Sequence, residues 1–429
     1  MSMDKNRAWK LLEDISFVRV AGSEEELKAA CEEAGVPAVI EDFEVDVVNI
    51  HTATLEVLEP EYHAYPVIGI GKTANTPAEG VVGGFKYIED GVEANLIDVE
   101  GKIVLLQGRG DKDLYEKLQK KGALGYIAIA GNIYEDESIK NQLRPTNAFG
   151  KEHPIPGVKL HITDAEKLVL SKPTKVKLVL NSEKVKATSH NVVATIQGTE
   201  KPDEIVTFSA HYDSVIYGTG AWDNGTGSIT ILEIMHHFVK NPPKRTLQFI
   251  WCGSEEIGLV GSRKFCEDHK EELKKHRFNI NVDMTGVLIG YEKAVCCCDD
   301  MVAKHIDFLG RIEGFPITTE VDLYASDSTT FARNGVPAMT FARLAPKGGA
   351  EIHSRRDIFE VLDPDAFIKT VEFMIKFAEP VINSKVFPVP REISPKLKEK
   401  MANVAKMMGE DEPEKKEEKA EEKPAEEKK

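Results

Sequence analysis

The sequence lacks the features that would place the chain in a membrane or on a nucleic acid. It has no run of the ~18 apolar residues that would span a bilayer, and its start carries scattered charges instead of an apolar signal-peptide core. Positive charge is also in short supply, with 55 Lys and Arg against 71 Asp and Glu and a net charge of −16. Such a balance disfavours binding to nucleic acid or to an anionic membrane. We therefore expect a soluble, cytoplasmic protein without nucleic-acid or membrane partners.

Cysteine is scarce and is not spaced for cross-linking. The six cysteines are Cys31, Cys252, Cys266 and the consecutive Cys296, Cys297 and Cys298. This distribution is not that of a disulfide framework or of a zinc knuckle. The triplet lies in AVCCCD, an apolar run that indicates a strand. We interpret all six as reduced thiols that mostly fill the core.

The length of the chain and the changes in its composition predict about two domains with additional terminal segments. The 429 residues suit domains of ~100–200 residues each. Residues 1–53 indicate two helices and a strand, with Ser23 as N-cap of the second helix and Glu26 completing a capping box. Residues 54–185 change to short strands and glycine-rich turns. Apolar strands alternate with helices over 186–392, and we expect the Lys/Glu-rich segment 393–429 to be a disordered tail.

The alternation of strands and helices after residue 186 predicts the fold class. It is typical of an α/β sandwich with a mixed, mostly parallel central sheet. In such sheets the active site collects at the carboxyl ends of the strands. Those strand ends are therefore where we look for functional side chains.

Groups that bind metals follow four apolar strands or their loops, and another lies on a late loop. They are His211 and Asp213 in IVTFSAHYD, Asp223 in AWDNGTGS, Glu255 and Glu256 in WCGSEEIG, Asp283 in NVDMTG and His353 in EIHSRRD. A strand-terminal His or Asp, taken singly, is more often a cap or a surface group, so the prediction depends on their joint placement. Mixed imidazole and carboxylate ligands suit zinc, cobalt or manganese. The set exceeds the needs of one zinc and fits two metals ~3.5–4 Å apart, with a bridging carboxylate and one carboxylate left as a base.

The adjacent pair Glu255 and Glu256 raises a geometric question. On a regular strand adjacent side chains point to opposite faces of the sheet. The strand is predicted to stop at about Cys252, and a turn at Gly253 and Ser254 would let both carboxylates reach one pocket.

The motifs HYDS, AWDNGTGS, GSEEIGLVGS, NVDMTG and IHSRRD, in this order, resemble those of the co-catalytic zinc aminopeptidases. That family includes aminopeptidase Y, bacterial leucyl aminopeptidases, glutamate carboxypeptidase and the transferrin receptor. The likeness covers residues 187–383, and RVAGSEEELKAA resembles the opening segment of the family. Residues 54–185 resemble an inserted protease-associated domain in GKIVLLQGRG and KKGALGYIAIAG. The resemblance implies a three-layer α/β/α zinc-exopeptidase domain with a smaller β-rich insert.

The resemblance also implies a role for each candidate residue. His211 and Asp283 would bind one metal and Glu256 and His353 the other, with Asp223 bridging the two and followed by a cis peptide bond to Asn224. The catalytic residues would be Glu255 as general base and Asp213, which would orient the ligand histidine. One departure is Ser328, which stands where relatives commonly have histidine. Tyr324 could stabilise an oxyanion or serve in packing.

Taken together, these residues predict an aminopeptidase that hydrolyses short peptides with two zinc ions per chain, with cobalt or manganese as possible replacements. A carboxypeptidase, a dipeptidase or a single-zinc cyclase on the same scaffold is an alternative enzyme. A metal-free binding scaffold, like the receptor branch of the family, is an alternative of another class. The complete ligand set argues against the cyclase and against the scaffold.

Overall fold

The computed structural model of the protein describes residues 5–17, 19, 23–107, 112–135, 146–147 and 153–408. Within these ranges the helices are α1 (Lys5–Asp14), α2 (Glu24–Glu33), α3 (Lys112–Lys120), α4 (Ile162–Leu170), α5 (Thr226–Lys240), α6 (Val260–Asp268), α7 (Asp300–Glu313), α8 (Asp327–Arg333), α9 (Pro364–Ile382) and α10 (Pro395–Met408). The strands are β1 (Ala38–Glu59), β2 (His63–Tyr65), β3 (Val67–Gly71), β4 (Val81–Ile88), β5 (Lys102–Leu106), β6 (Gly125–Ala130), β7 (Thr146–Asn147), β8 (Gly157–His161), β9 (Lys175–Ile196), β10 (Lys201–His211), β11 (Arg245–Cys252), β12 (His276–Val282), β13 (Tyr291–Cys297), β14 (Ile317–Glu320) and β15 (Ala338–Leu344).

The second half of the chain builds a mixed sheet whose central strands are parallel. The order is β14, β13, β15, β12, β10, β11 and β9, and β1 pairs with β9 beyond it. Strands β11, β10, β12 and β15 run parallel to one another, whereas β13 and β9 are antiparallel to their neighbours β15 and β11. His211 lies opposite Cys252, so the carboxyl ends of β10 and β11 reach the same edge.

Helices cover both faces of this sheet, which gives the predicted three layers. One hydrophobic cluster joins α1, α5, α7 and α9 to alternate strand residues such as Phe208, Phe249 and Ile280. A second cluster joins α6, α8 and α10 to the other face through residues such as Ile250 and Phe331. The prediction of an α/β sandwich with a mixed, mostly parallel sheet is confirmed. Buried strands packed from both sides explain why their sequences are continuous apolar runs.

Residues 53–178 form two further hydrophobic clusters of their own. One contains Ile70, Tyr115 and Tyr126, and the other contains Leu55, Leu160 and Leu178. Strands β1 and β9 connect this part to the rest as a long antiparallel ribbon, paired from Ala38 with Ala194 to Glu59 with Lys175. The predicted boundaries near residues 53 and 185 fall within this ribbon.

Two local expectations are wrong. Ser23 is the N-cap of α2, but its hydroxyl makes no capping hydrogen bond because its ψ of 3° is not extended as in a capping box. The segment 393–429 does not begin as a disordered tail, since α10 packs Leu397 and Met401, together with Ile393, against the second face of the sheet. Residues 409–429 lie outside the described part of the chain.

The cysteines lie where the sequence predicted. All six are buried and none is paired in a disulfide. Cys296 and Cys297 are on the buried strand β13, and Cys298 follows it directly. No described helix combines the length and the apolar character that a membrane crossing requires.

Candidate metal centre

The structure brings the five residues predicted as metal ligands together at the carboxyl edge of the sheet. They form two groups, His211 with Asp223 and Asp283, and His353 with Asp223 and Glu256, and in each group the donor atoms lie within 4.8 Å of one another. Asp223 belongs to both groups. Its Oδ1 lies 3.1 Å from Nε2 of His211, and its Oδ2 lies 3.1 Å from Nε2 of His353. One carboxylate therefore presents an oxygen to each group, which is the geometry of a bridging ligand.

The remaining donors complete the two groups from other elements. Asp283, just after β12, places Oδ1 3.5 Å from Nε2 of His211. Glu256, on the turn after β11, places Oε2 3.2 Å from Nε2 of His353. The side chains of His211, Asp223, Asp283 and Glu256 are at most 6% exposed, whereas that of His353 is 35% exposed. The group of donors is thus most exposed to solvent at His353.

The loop that carries Asp223 is held by hydrogen bonds to its main chain. The peptide bond between Asp223 and Asn224 is cis, as the resemblance implies. The buried carboxylate of Asp357 accepts from the N–H groups of Trp222 (2.7 Å) and Asp223 (3.0 Å). The side chain of Asn224 accepts from Met284 N–H (3.0 Å) and donates to the carbonyl of Val282 (2.8 Å). Asn224 thereby joins this loop to the end of β12, next to Asp283.

The turn after β11 answers the question raised by the glutamate pair. The strand ends at Cys252, and Ser254 adopts a left-handed conformation with φ of 55°. The carboxylate of Asp213 accepts from the N–H of Glu255 (3.0 Å) and from that of Glu256 (3.2 Å). Both glutamates therefore lie on a turn beyond the end of the strand, and the main chain of each is bound to the same aspartate.

Three non-glycine residues with positive φ lie at the centre. They are Ser254 (55°), Met284 (65°) directly after Asp283, and His353 (60°). Such backbone conformations are uncommon outside glycine and concentrate at functional sites, where the surrounding structure maintains them.

Asp213 acts in the structure mainly through the glutamate turn. Its carboxylate is 3.7 Å from Nδ1 of His211, which is too far for a hydrogen bond. The imidazole Nδ1 lies 3.1 Å from the backbone carbonyl of Asp213 instead. A proton on Nδ1 would donate to that carbonyl and leave Nε2 facing the donor group. That the Asp213 carboxylate orients the histidine stays a prediction.

The carboxylates give the centre a strongly negative field. Burial opposes a charge on His211, but Glu255, Asp213, Asp223 and Asp283 together raise its pKa well above the usual value. In the same way, Asp223 and Glu256 outweigh burial and raise the pKa of His353 to about 9. Burial would raise the pKa of Asp223, but the two histidines lower it. A field that favours protons on two imidazoles also favours cations that bind there.

Glu255 differs from its neighbour in its surroundings. Burial and the charges of Glu256, Asp327 and Asp283 raise its pKa well above the usual range, against the opposing effect of His211. Glu255 belongs to neither donor group. A carboxyl group with a raised pKa beside metal ligands suits proton transfer.

The two residues about which the sequence left questions lie in different surroundings. Ser328 is fully buried, with its hydroxyl 2.6 Å from that of Thr340, so it faces the core. Tyr324 is close enough to the carboxylates that Asp283, Asp223 and Glu255 add to the effect of burial in raising its pKa. The phenol therefore keeps its proton at neutral pH.

Sequence reasoning assigned no role to Arg19 or Asp357, although the motifs RVAGSEEELKAA and IHSRRD contain them. Both side chains are 1% exposed, and both contact the loops that carry the donors. Buried charged residues are uncommon unless they are paired or coordinate a metal. That signal cannot be read from sequence, because burial of a charge shows only in the fold.

Imidazole and carboxylate donors at the carboxyl edge of an open α/β sheet are typical of metal-dependent enzymes. The comparisons with known proteins identify the kind of enzyme domain. Residues 191–378 match peptidase family M28. This part of the chain, which is less than half of it, is therefore similar to the metallopeptidases of family M28.

Individual relatives agree with this assignment. Aminopeptidase YwaD of Bacillus subtilis (strain 168) is 36% identical over 203 residues, which are 46% of this chain and 42% of that protein. Carboxypeptidase Q of Bos taurus is 26% identical over 334 residues, which are 72% of this chain and 69% of that protein. The fold is that of BSAP, a zinc aminopeptidase from Bacillus subtilis, with a TM-score of 0.75, 20% identity and coverage of 92% of this chain and 99% of that one. The match to YwaD spans less than half the length of that relative.

Proposed function

We propose that the protein is an exopeptidase with two zinc ions per chain, and more specifically an aminopeptidase that removes the N-terminal residue of short peptides. The observation that carries the proposal is the pair of donor groups that share Asp223, within a chain segment that matches family M28. Cobalt or manganese would also suit these donors.

The residues present fit two zinc ions. His211 and Asp283 would hold one ion, Glu256 and His353 the other, and Asp223 both. Each ion then has three protein ligands and an open position, as catalytic zinc requires. Zinc held there would act as a Lewis acid that polarises the scissile carbonyl and makes water a stronger nucleophile at neutral pH.

Glu255 would move the proton. Its carboxylate would accept a proton from the attacking water and deliver it to the nitrogen of the leaving amine. The position of Glu255 supports this role, because it lies on the same turn as Glu256 and belongs to neither donor group. Asp213 would keep Glu255 in reach through the hydrogen bond from its main-chain N–H.

A carboxypeptidase or a dipeptidase is the second candidate. The match to carboxypeptidase Q supports it, since it spans more of this chain than the match to YwaD does. The two candidates share the metal centre and differ in which end of the substrate is recognised.

Blocked peptides separate these candidates. The zinc-reconstituted protein would be given a tripeptide in three forms, free, acetylated at the N-terminus and amidated at the C-terminus, together with free dipeptides. We expect hydrolysis of the free and amidated forms and no hydrolysis of the acetylated form. A carboxypeptidase would show the opposite preference, and a dipeptidase would cleave only the dipeptides. Absence of hydrolysis by protein with two bound zinc ions would contradict the proposal.

We further propose that residues 54–185 form an inserted domain of the protease-associated type, and that the protein works in the cytoplasm. Two hydrophobic clusters confined to residues 53–178 support the domain. Six buried, unpaired cysteines support a reducing compartment. Cell fractionation with an antibody against the chain would test the location.

A further inference from the structure

Arg19 is a buried cation that binds the two loops next to the metal centre. Its side chain is 1% exposed. The guanidinium donates from Nε to the carbonyl of Tyr212 (2.7 Å) and from Nη2 to the carbonyl of Gly220 (2.7 Å). Nη1 donates to the carbonyls of Thr219 (2.9 Å), Phe17 (3.1 Å) and Ile15. Every one of these acceptors is a main-chain oxygen, so the side chain fixes backbone positions.

The main chain of Arg19 strengthens the same attachment. Its N–H donates to the hydroxyl of Ser214 (2.7 Å), and its carbonyl accepts from the N–H of Ser214 (3.0 Å). Tyr212 and Ser214 flank Asp213, the residue that holds the glutamate turn. Arg19 therefore supports Asp213 from both sides.

The loop of Asp223 closes around the guanidinium. The carbonyl of Gly220 accepts from Arg19 and from the N–H of Gly225 (2.9 Å), so both ends of the loop meet at one oxygen. A Cβ atom on Gly220 or Gly225 would lie 3.3 or 3.2 Å from Nη2 of Arg19. The two glycines thus leave the space that the guanidinium fills.

Arg19 and Asp357 hold this loop from complementary sides. Arg19 binds carbonyl oxygens at its start, and Asp357 binds the N–H groups of Trp222 and Asp223 within it. Asp223 is thereby restrained through its own backbone. Burial lowers the pKa of Arg19 to about 10, against the opposing charges of Asp357, Asp213 and Asp223, so the guanidinium stays charged at neutral pH.

We propose that Arg19 is a positioning residue for the metal centre, which holds the Asp213 and Asp223 loops in the arrangement that binds both metals. The proposal rests on the proposed function only in taking the two donor groups as metal sites. Arg19 touches neither the donor atoms nor the substrate in this role. Loss of a residue that orients ligands in this way typically costs about 10–100-fold in metal affinity.

Arg245 provides a matched control. It is fully buried and donates to the main-chain carbonyls of Ile382 (2.8 Å) and Ser384 (2.7 Å), and also to the carboxylate of Glu204 (2.6 Å). It is the first residue of β11, whereas the metal centre lies beyond the last residue, Cys252. Replacing Arg245 therefore removes a buried guanidinium that also binds main-chain carbonyls, but at the other end of the strand.

The experiment measures zinc affinity of the full chain by competition with a chromophoric chelator, for wild type and for Arg19→Lys, Arg19→Met and Arg245→Met. Lys keeps the charge but cannot reach all the carbonyls with a planar fork. We expect zinc to bind about tenfold more weakly to Arg19→Lys and about 100-fold more weakly to Arg19→Met. Arg245→Met should lower the melting temperature and keep wild-type zinc affinity. With excess zinc, Arg19→Lys should regain kcat with an unchanged KM.

The outcomes separate this proposal from the proposed function. Wild-type zinc affinity in both Arg19 variants would overturn the positioning role, even with a lowered melting temperature. If Arg19→Met does not fold, Arg19→Lys decides in the same way. Equal loss of zinc affinity in Arg245→Met would show a general effect of instability and would also overturn it. A wild-type protein that binds no zinc would overturn the proposed function as well.

Discussion

Glu255 and Glu256 are adjacent in sequence but serve different proposed roles at the metal centre. Glu256 places Oε2 within 3.2 Å of His353 and belongs to a donor group, whereas Glu255 does not. Both main-chain N–H groups bind the same carboxylate of Asp213, so the two side chains are presented by one turn. The difference between them can be tested by the same change at each position.

We predict different defects for Glu255→Gln and Glu256→Gln. Glu255→Gln should keep two zinc ions per chain and lower kcat by about 10²–10⁴-fold, since it removes the group that moves the proton. Glu256→Gln should lose or weaken one zinc, because an amide is a poorer ligand than a carboxylate. Metal analysis after dialysis and steady-state kinetics on the same samples measure both effects. Two zinc ions retained by Glu256→Gln would contradict its role as a ligand.

At this scale the sequence points to the proposed metal donors more readily than to the residues that hold their loops in place. The donor residues follow apolar strands or lie in short motifs, so pattern alone points to them. Arg19 acts on Tyr212 and Gly220, which are 193 and 201 residues later in the chain. Contacts to backbone oxygens leave no pattern in the partner residues, and only the fold brings these segments together. The bond from Asp213 to the glutamate turn was missed for the same reason.

At the scale of single elements, apolar runs predicted the strands of the sheet well. The runs around Phe208, Phe249 and Ile280 are buried strands, as expected for a sheet covered on both faces. Helix ends are less predictable, because Ser23 is the N-cap of α2 but makes no side-chain capping hydrogen bond. The sequence predicts a disordered segment from residue 393, although α10 follows there, because Ile393, Leu397 and Met401 are few apolar residues among many charges. Their spacing is helical, but their burial depends on the face of the sheet they cover.

Helix α1 is attached to α5 through a cluster that contains an arginine, a glutamate and a histidine. Arg7 binds the carboxylate of Glu233 (2.6 and 2.7 Å) and also contacts Nε2 of His236. An imidazole that accepts from an arginine must be neutral. Burial, followed by the charges of Arg7 and Lys240, lowers the pKa of His236 to about 4.

We predict that this histidine lowers stability as the medium becomes acidic. The unfolded pKa is about 6.5, so between that value and the folded pKa the unfolded chain binds the extra proton. The contribution of His236 to the free energy of unfolding is fully present above the unfolded pKa. It decreases as pH falls from the unfolded to the folded pKa, by at most about 1.4 kcal/mol per pH unit. His236→Gln keeps an acceptor for Arg7 and cannot titrate. Its melting temperature should therefore fall less than that of wild type between about pH 7 and pH 5.

The exposed His305 on α7 supplies the control for this experiment, because His305→Gln removes an imidazole outside the cluster. Its melting temperature should fall between about pH 7 and pH 5 by more than that of His236→Gln. Parallel pH profiles for wild type and His236→Gln would show that the cluster does not carry the effect.

At the scale of the whole molecule, the antiparallel ribbon of β1 and β9 connects two sets of hydrophobic clusters. The clusters confined to residues 53–178 lie at one end of β1 and β9, and those of the α/β sandwich lie at the other. The change of composition near residue 54 indicates a domain boundary there, which stays a prediction, and no pattern could show that strands β1 and β9 continue across it. The two parts also meet near the metal centre, where Nδ2 of Asn132 lies 3.4 Å from Oε1 of Glu351, two residues before His353.

The ribbon predicts that residues 50–182 can be removed without destroying the candidate metal centre. Asn49 pairs with Glu183, so a variant that joins them through a two-residue Asn-Gly turn would close an antiparallel hairpin. The deletion removes residues 50–182, which contain both hydrophobic clusters of residues 53–178. It leaves the two clusters on the faces of the α/β sheet intact. We expect the shortened chain to fold and bind two zinc ions, and its KM for peptides to rise because the contact between Asn132 and Glu351 is lost. Residues 50–182 expressed alone serve as the control and should unfold cooperatively. A shortened chain that neither folds nor binds zinc would show that the α/β sandwich depends on residues 50–182.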